Sequence, residues 1–377
     1  CVQKCLYCDF ASYAGFGEQE KRDYTDAVCK EIALRAPEAA NMAANASIYF
    51  GGGTPSVLPT ECIAKLVNAL KQYGFWQQPC EATIEVNPGT ADLAKLQTLR
   101  QLGFDRISFG VQSLQNNELQ AIGRIHNAQQ ALEALTLARK AGFARVSADL
   151  IYGLPSQTLT SLQDTLERLT DTGIEHISVY GLIVEEGTPL ASLVDKGRIT
   201  LPDDDTAADM YELVQSFLRE RGFERYEISN YAKNGQYSRH NTVYWEYHPY
   251  IAFGAAACGF DGQRRRTGLS TVREYIEQLQ SFGGDDLRAS ALYNVEELSS
   301  AELLEEFMFM GLRRSEGASL AEARERFDVD VLQRFASELA PLFEQKLIAY
   351  DASTQRLRLT ERGMEVGNQI FEVFVIT

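Results

Sequence analysis

The sequence has no fourth cysteine beside its first three. Cys1, Cys5 and Cys8 follow the spacing C-x3-C-x2-C in CVQKCLYCDF, and Asp9 and Phe10 come next. A second cysteine pair of the kind that completes a zinc site is also missing. Positive charge is scarce: 36 Lys and Arg against 52 Asp and Glu give a formal net charge of −16. Affinity for nucleic acid comes largely from Lys and Arg meeting phosphates. The balance therefore argues against generic DNA or RNA binding, and against docking to anionic membranes by charge alone. No apolar run approaches the 18 or more residues of a membrane span, so no transmembrane segment is expected. No secretory signal is visible. A chain that begins at a ligand cysteine is expected to lack its natural start. Seven cysteines, three of them on one loop, suit a reducing cytosol better than a disulfide framework. Cys29, Cys62, Cys80 and Cys258 stand among apolar neighbours and read as buried free thiols.

What is present points to a cluster. Three thiolates on one tight loop can hold three irons of a [4Fe-4S] cubane. Such clusters normally take four thiolates, so the fourth iron would keep an open coordination position for a small molecule. A zinc site and free thiols are the alternatives that spacing alone leaves open.

The 377 residues, 45% of them hydrophobic, fit one barrel-sized domain and a smaller one. Short apolar runs at Ile48–Phe50, Ala82–Val86, 107–111, 146–151 and 176–182 alternate with helical patterns at 19–35, 61–73, Leu93–Leu102, 128–141 and 161–170. This alternation predicts βαβ units and a parallel sheet. A further strand is expected just before Cys1. Three parts are expected: a barrel over 1–200, an α+β segment over 201–292 whose stretch 222–270 reads as strands and loops extending the sheet, and a helical part over 293–377. The last part combines helices near 296–312, 319–326 and 329–345 with a strand pair and a final helix, which resembles a winged helix. Its 9 basic and 16 acidic residues disfavour DNA binding there.

The chemistry-bearing residues fall at the ends of the predicted strands. Gly51-Gly52-Gly53-Thr54 follows the first run, Glu85 and Asn87 close the second, Gln112 the third and Asp149 the fourth. In barrel-type α/β folds the site sits at the C-terminal strand ends. Glycines there let a ligand approach the backbone. A carboxylate on an apolar strand needs a partner, because buried charge is costly. Each residue alone could be a turn or a solvated strand end. Together, Glu85, Gln112, Arg124 and Asp149 offer carboxylates for an amino group and hydroxyls, an amide, and a guanidinium able to grip a carboxylate bidentately.

CVQKCLYCDF with its aromatic Tyr7, and the later phrases YFGGGTPS, EVNPGT, RISFGVQS, GRIH and DLIYGLP, resemble the motifs of the coproporphyrinogen oxidase-like branch of radical S-adenosyl-L-methionine (SAM) proteins. The resemblance runs over most of the chain. It implies an α/β fold built on a partial (β/α)6 TIM-like barrel, a [4Fe-4S] cluster on Cys1, Cys5 and Cys8, and SAM over the open iron. Tyr7, Gly52, Gly53, Thr54, Glu85, Gln112, Arg124 and Asp149 would then form the cofactor site. Within the branch, the oxygen-independent coproporphyrinogen III oxidases resemble C-x3-C-x2-C-x-C, with a cysteine where this chain has Phe10. The HemW-type heme chaperones resemble C-x3-C-x2-C-D-F and carry H-N-x-x-Y-W, which stands here as His240-Asn241-Thr242-Val243-Tyr244-Trp245. The resemblance thus implies a cytosolic protein that binds a cluster, SAM and heme and hands heme to an acceptor protein, with peripheral membrane contact only through that acceptor. His240 is the expected heme-contact residue. Imidazole is a common axial ligand, and His126, His176 and His248 are alternatives. The competing expectation is radical SAM oxidative decarboxylation of coproporphyrinogen III.

Overall fold

The computed structural model describes residues 1–43, 45–282 and 292–375. Five parallel strands come first: β1 (Ile48–Phe50), β2 (Ala82–Val86), β3 (Arg106–Gln112), β4 (Arg145–Tyr152) and β5 (His176–Gly181). β6 (Glu224–Arg225) and β7 (Asn230–Ala232) extend the sheet antiparallel to β5, giving the order β1-β2-β3-β4-β5-β7-β6.

Helices α1 (Glu18–Leu34), α2 (Thr60–Gln72), α3 (Leu93–Leu102), α4 (Asn116–Ala121), α5 (Ala128–Lys140), α6 (Leu159–Thr170), α7 (Pro189–Asp195) and α8 (Asp204–Glu220) connect or follow these strands. Local chemistry starts several of them. The Asp92 carboxylate accepts from the Lys95 N–H, Asn127 and Gln130 form a reciprocal capping box, and Asp203 accepts from the Thr206 N–H.

Alternation along the strands separates two faces. Ile48, Ile84, Ile107, Phe109, Val146, Ala148, Leu150 and Ile177 pack against the helices in one core. The alternate residues turn inward. Tyr49, Glu81, Thr83, Glu85, Arg106, Ser108, Ser147, Asp149 and His176 bond to one another, and Ser47 bonds His240. The inner face is polar from floor to mouth.

α9 (Arg239–Trp245) closes the floor. Its first amides, those of Arg239 and His240, donate to the carboxylate of Glu81 at the start of β2. The Ser238 N–H donates to the Tyr226 hydroxyl on the β6–β7 side, and Ser47 beside β1 bonds His240. The helix thus bridges both ends of the open sheet. This corrects the expectation of only strands and loops over 222–270. β8 (Cys258–Phe260) and β9 (Arg264–Gly268) are a further departure: with β10 (Tyr293–Glu297) they form a separate antiparallel sheet. α10 (Val272–Ser281) packs on α1.

A second core gathers around α11 (Ser300–Leu312), α12 (Leu320–Phe327), α13 (Val331–Arg334), α14 (Ala336–Glu344), α15 (Glu361–Glu365) and α16 (Gly367–Phe371). β11 (Ala318–Ser319), β12 (Ile348–Asp351) and β13 (Arg356–Leu359) make a small antiparallel sheet beside it. The single helix expected over 329–345 is two helices broken at Phe335, whose buried ring packs on Phe374. Tyr247 and Phe260 contribute to this second core, whereas Tyr293 packs on the first. Among the described residues, no helix is long and apolar enough to cross a membrane.

Candidate functional site

The cysteine loop lies across the C-terminal ends of the parallel strands. The Leu6 N–H donates to the Ile122 carbonyl just after α4, and the Leu6 carbonyl accepts from Leu190 N–H in α7. Gly123 makes the approach possible: it has φ +75°, and a Cβ there would lie 3.0 Å from Leu6 Cγ. Tyr7 faces down onto Ile122, Ile151, Leu154 and Leu182, a small apolar cluster under the loop. Burial pushes its phenol well above the ordinary range.

A chain of polar contacts joins this loop to the strand ends. Cys1 Sγ lies 3.2 Å from Thr54 Oγ1, which accepts from Asn87 Nδ2 at 2.8 Å. Asn87 Oδ1 accepts from Arg124 Nη2 at 2.7 Å, and Arg124 Nη1 donates to Cys5 Sγ at 3.4 Å. Arg124 also donates to the Gly110 carbonyl. Its buried Nε has no partner. Gly53 sits against the loop, where a Cβ would be 3.5 Å from Cys1 Sγ. Three side chains converge over Gly110: a Cβ there would meet Asn87 Oδ1 at 2.8 Å, Gln112 Nε2 at 3.0 Å and Arg124 Nη2 at 3.1 Å. Gln112 takes φ +67° at a bulge where β3 slips register against β4. That conformation is uncommon for a side-chain-bearing residue and clusters at ligand sites.

The two carboxyl groups stand deeper. Glu85 accepts from the Tyr49 hydroxyl at 2.6 Å and from Gly52 N–H at 3.2 Å. Burial pushes its carboxyl up to about 7, helped by nearby Asp149 and opposed by those two hydrogen bonds. Burial also raises Asp149, which accepts from Ser108 Oγ at 3.1 Å.

Cys1, Cys5, Cys8, Tyr7, Gly52, Gly53, Thr54, Glu85, Gln112, Arg124 and Asp149 therefore gather at one end of the sheet. Asn87, noted in the sequence only as closing a strand, is the link between Thr54 and Arg124; its position two residues after Glu85 on the same face was the available signal. Tyr49 went unnoticed, although the alternation of β1 aims it inward.

His240 is elsewhere. It lies at the floor, with Nδ1 2.8 Å from Ser47 Oγ and Nε2 2.8 Å from the Tyr244 hydroxyl. Its ring stacks on Tyr49 at 4.7 Å, and burial lowers its pKa to about 4. His176 is likewise engaged on both nitrogens, by Ser147 and Tyr226, and His126 is buried with Nε2 on the Val111 carbonyl. His248 is exposed and pairs with Glu246. Of the four remaining thiols only Cys62 is fully buried; Cys29, Cys80 and Cys258 are half-buried, which corrects the expectation for those three.

The donor set suits an iron–sulfur cluster in kind. Three half-buried thiols share one loop, and an unpartnered Arg124 Nε lies alongside. The thiols are held singly, on Thr54, Arg124 and Ser12, and among the described residues no three ligating side chains lie at metal-binding distance. Binding a cluster would replace those three contacts.

Residues 1–169 match the model of the radical SAM superfamily, and residues 298–366 match that of the HemN C-terminal domain. The fold agrees. The structure titled coproporphyrinogen III oxidase (HemN) from Escherichia coli, a radical SAM enzyme, superposes with a TM-score of 0.83 at 22% identity, over 100% of this chain and 88% of that one. The fold is that of a radical SAM protein, a class that implies a [4Fe-4S] cluster and SAM. Among curated proteins, heme chaperone HemW of Bacillus subtilis is 34% identical over 100% of this chain and 97% of its own length. Radical S-adenosyl methionine domain-containing protein 1, mitochondrial, of Danio rerio is 36% identical over 84% of this chain and 71% of its own. The chain belongs to the HemW family.

Proposed function

We propose that this protein is a cytosolic heme chaperone, which binds heme and passes it to an acceptor protein while carrying a [4Fe-4S] cluster and SAM. The observation that carries the cofactor part is the polar chain from Cys1 through Thr54, Asn87 and Arg124 to Cys5. It ties the thiol loop to the strand ends where a ligand of an open iron would lie. Cys1, Cys5 and Cys8 would hold the cluster, which when bound supplies a redox-active iron with a free coordination position. Glu85 and the backbone of Gly52 and Gly53 suit the amino group of SAM, Arg124 its carboxylate, and Gln112 and Asp149 its ribose. Thr54 and Tyr7 would hold the glycine strand and the loop around it. Phe10 supports chaperoning over decarboxylation: an exposed ring, 69% accessible, stands where the oxidases of this branch resemble one another in carrying a cysteine. Heme reaching His240 would have to displace Ser47, Tyr244 or the Tyr49 stack.

The test is anaerobic reconstitution with iron and sulfide. One portion is titrated with heme, and another is incubated with SAM, reductant and coproporphyrinogen III. The expected result is about one heme per chain and no protoporphyrinogen. Protoporphyrinogen formed with consumption of SAM would make the protein an oxidase instead.

A further inference from the structure

We propose that Tyr49 and His240 are positioning residues for Glu85, so that the HNTVYW helix at the floor of the barrel sets the SAM site at its mouth. This rests on the reading of Glu85 as a SAM contact.

The connection is short and continuous. Ser47 and Tyr244 fix the two nitrogens of His240, and the Glu81 carboxylate fixes its backbone amide. The imidazole lies nearly flat on Tyr49, with an interplanar angle of 19°. Tyr49 extends up the lumen and donates to Glu85 Oε1 at 2.6 Å, while Glu85 Oε2 accepts from Gly52 N–H. The crowding is visible at Gly51. A Cβ there would lie 2.5 Å from Tyr49 Cε1 and 2.9 Å from Glu85 Oε1. The first glycine of the GGGT phrase is thus required by the tyrosine–glutamate contact. A planar ring under Tyr49 keeps its hydroxyl aimed at one oxygen of Glu85, leaving the carboxylate oriented by one donor from below and one from the glycine strand.

Other charged or titratable groups facing Glu85 include Asp149 from β4, Arg106 from β3 and Tyr244 from α9. The side-chain hydrogen bond to Glu85 comes from Tyr49, so Tyr49 is the side chain that orients it. His240 does this by the shape and stacking of its ring, and its metal-binding capacity is not used. A ring of the same shape without nitrogens should therefore replace it for this purpose.

The experiment uses the reconstituted, cluster-bearing protein and measures SAM affinity by equilibrium dialysis across pH, with thermal melts to confirm folding. Losing a hydrogen bond to a charged group weakens an interaction by about tenfold or more. Tyr49→Phe and His240→Ala should each weaken SAM binding by about that factor and move its acid midpoint to higher pH. His240→Phe, which keeps a stacking ring, should bind SAM within about twofold of wild type while losing any heme-iron ligation. Loss of SAM binding in His240→Phe equal to that in His240→Ala would overturn the proposal, as would unchanged binding and midpoint in Tyr49→Phe. Wild-type protein that takes up no SAM would overturn the SAM reading and this proposal together. SAM binding in wild type with no change in His240→Ala would overturn the coupling alone.

Discussion

Glu85 concentrates the electrostatics of the candidate site on one oxygen pair. Its carboxyl titrates at about 7 because burial opposes the charged form, while Tyr49 and Gly52 limit the rise. A cationic amino group prefers the carboxylate. SAM affinity should therefore approach its limit a unit or more above the Glu85 value and fall as pH drops through about 7, by up to about tenfold per unit; dialysis at several pH values on both sides of 7 would check it. Glu85→Gln should flatten this acid limb. The floor has the opposite character. Glu81 is fully buried, yet the Arg106 and Arg145 guanidiniums and the Arg239 and His240 amides outweigh its desolvation and hold it below the usual carboxylate range. Breaking a buried pair by removing one partner costs about 3–5 kcal/mol. Glu81→Ala should lose that much in a urea unfolding curve, since it strands Arg145 and two helix amides together.

At the scale of elements, the cysteine loop depends on α4 and α7 for its seat. Gly123→Val would force a β-branched residue into φ +75° against Leu6. Iron and sulfide retained per chain should fall at least twofold after reconstitution, which colorimetric iron analysis reads directly, while the melting profile changes little. The strands were legible because their outward residues are Ile, Val, Phe and Leu, and the inward polar ones alternate with them at period two. Helix ends were legible from caps such as Asp92 and Asn127. α9 was not. Its seven residues carry Thr, Val, Tyr and Trp, which favour strands, and no apolar stripe repeats within it. It is helical because Ser238 caps Asn241 and Glu81 takes its first amides. Ser47 and His240 are 193 positions apart, so nothing local signals that both ring nitrogens are occupied. The strand-end members of the site were legible for the converse reason: Gly52, Glu85 and Gln112 stand at or beside the ends of their strands, and a parallel sheet collects those ends; Asp149, read as closing its strand, stands three residues inside β4. Asn87 was passed over because its partners, Thr54 and Arg124, come from two other strand-end loops.

For the whole molecule, three histidines are held neutral inside one fold. Burial takes His240 and His126 to about 4 and His176 well below its ordinary value. Their folded values lie below the unfolded one near 6.5, so protonation favours the unfolded chain. Stability should be constant above pH 7, decline as pH falls from about 6.5, and level off with respect to His240 and His126 below about 4. Thermal melts between pH 7.5 and 4.5 should show this fall, and His240→Phe should make it shallower. If heme does take His240, linkage demands reciprocity: SAM and heme would weaken each other by the same factor.

The polar inner face of the sheet has a calorimetric consequence. Unfolding exposes apolar surface, which raises heat capacity, and polar surface, which lowers it. Here Ser, Thr, Glu, Asp, Arg, His and Tyr occupy positions that a packed barrel gives to branched aliphatics. The barrel should therefore unfold with a heat-capacity increment below the usual ~12–15 cal/mol/K per residue. Its stability curve would be correspondingly broad, held over a wide span of temperature rather than peaked.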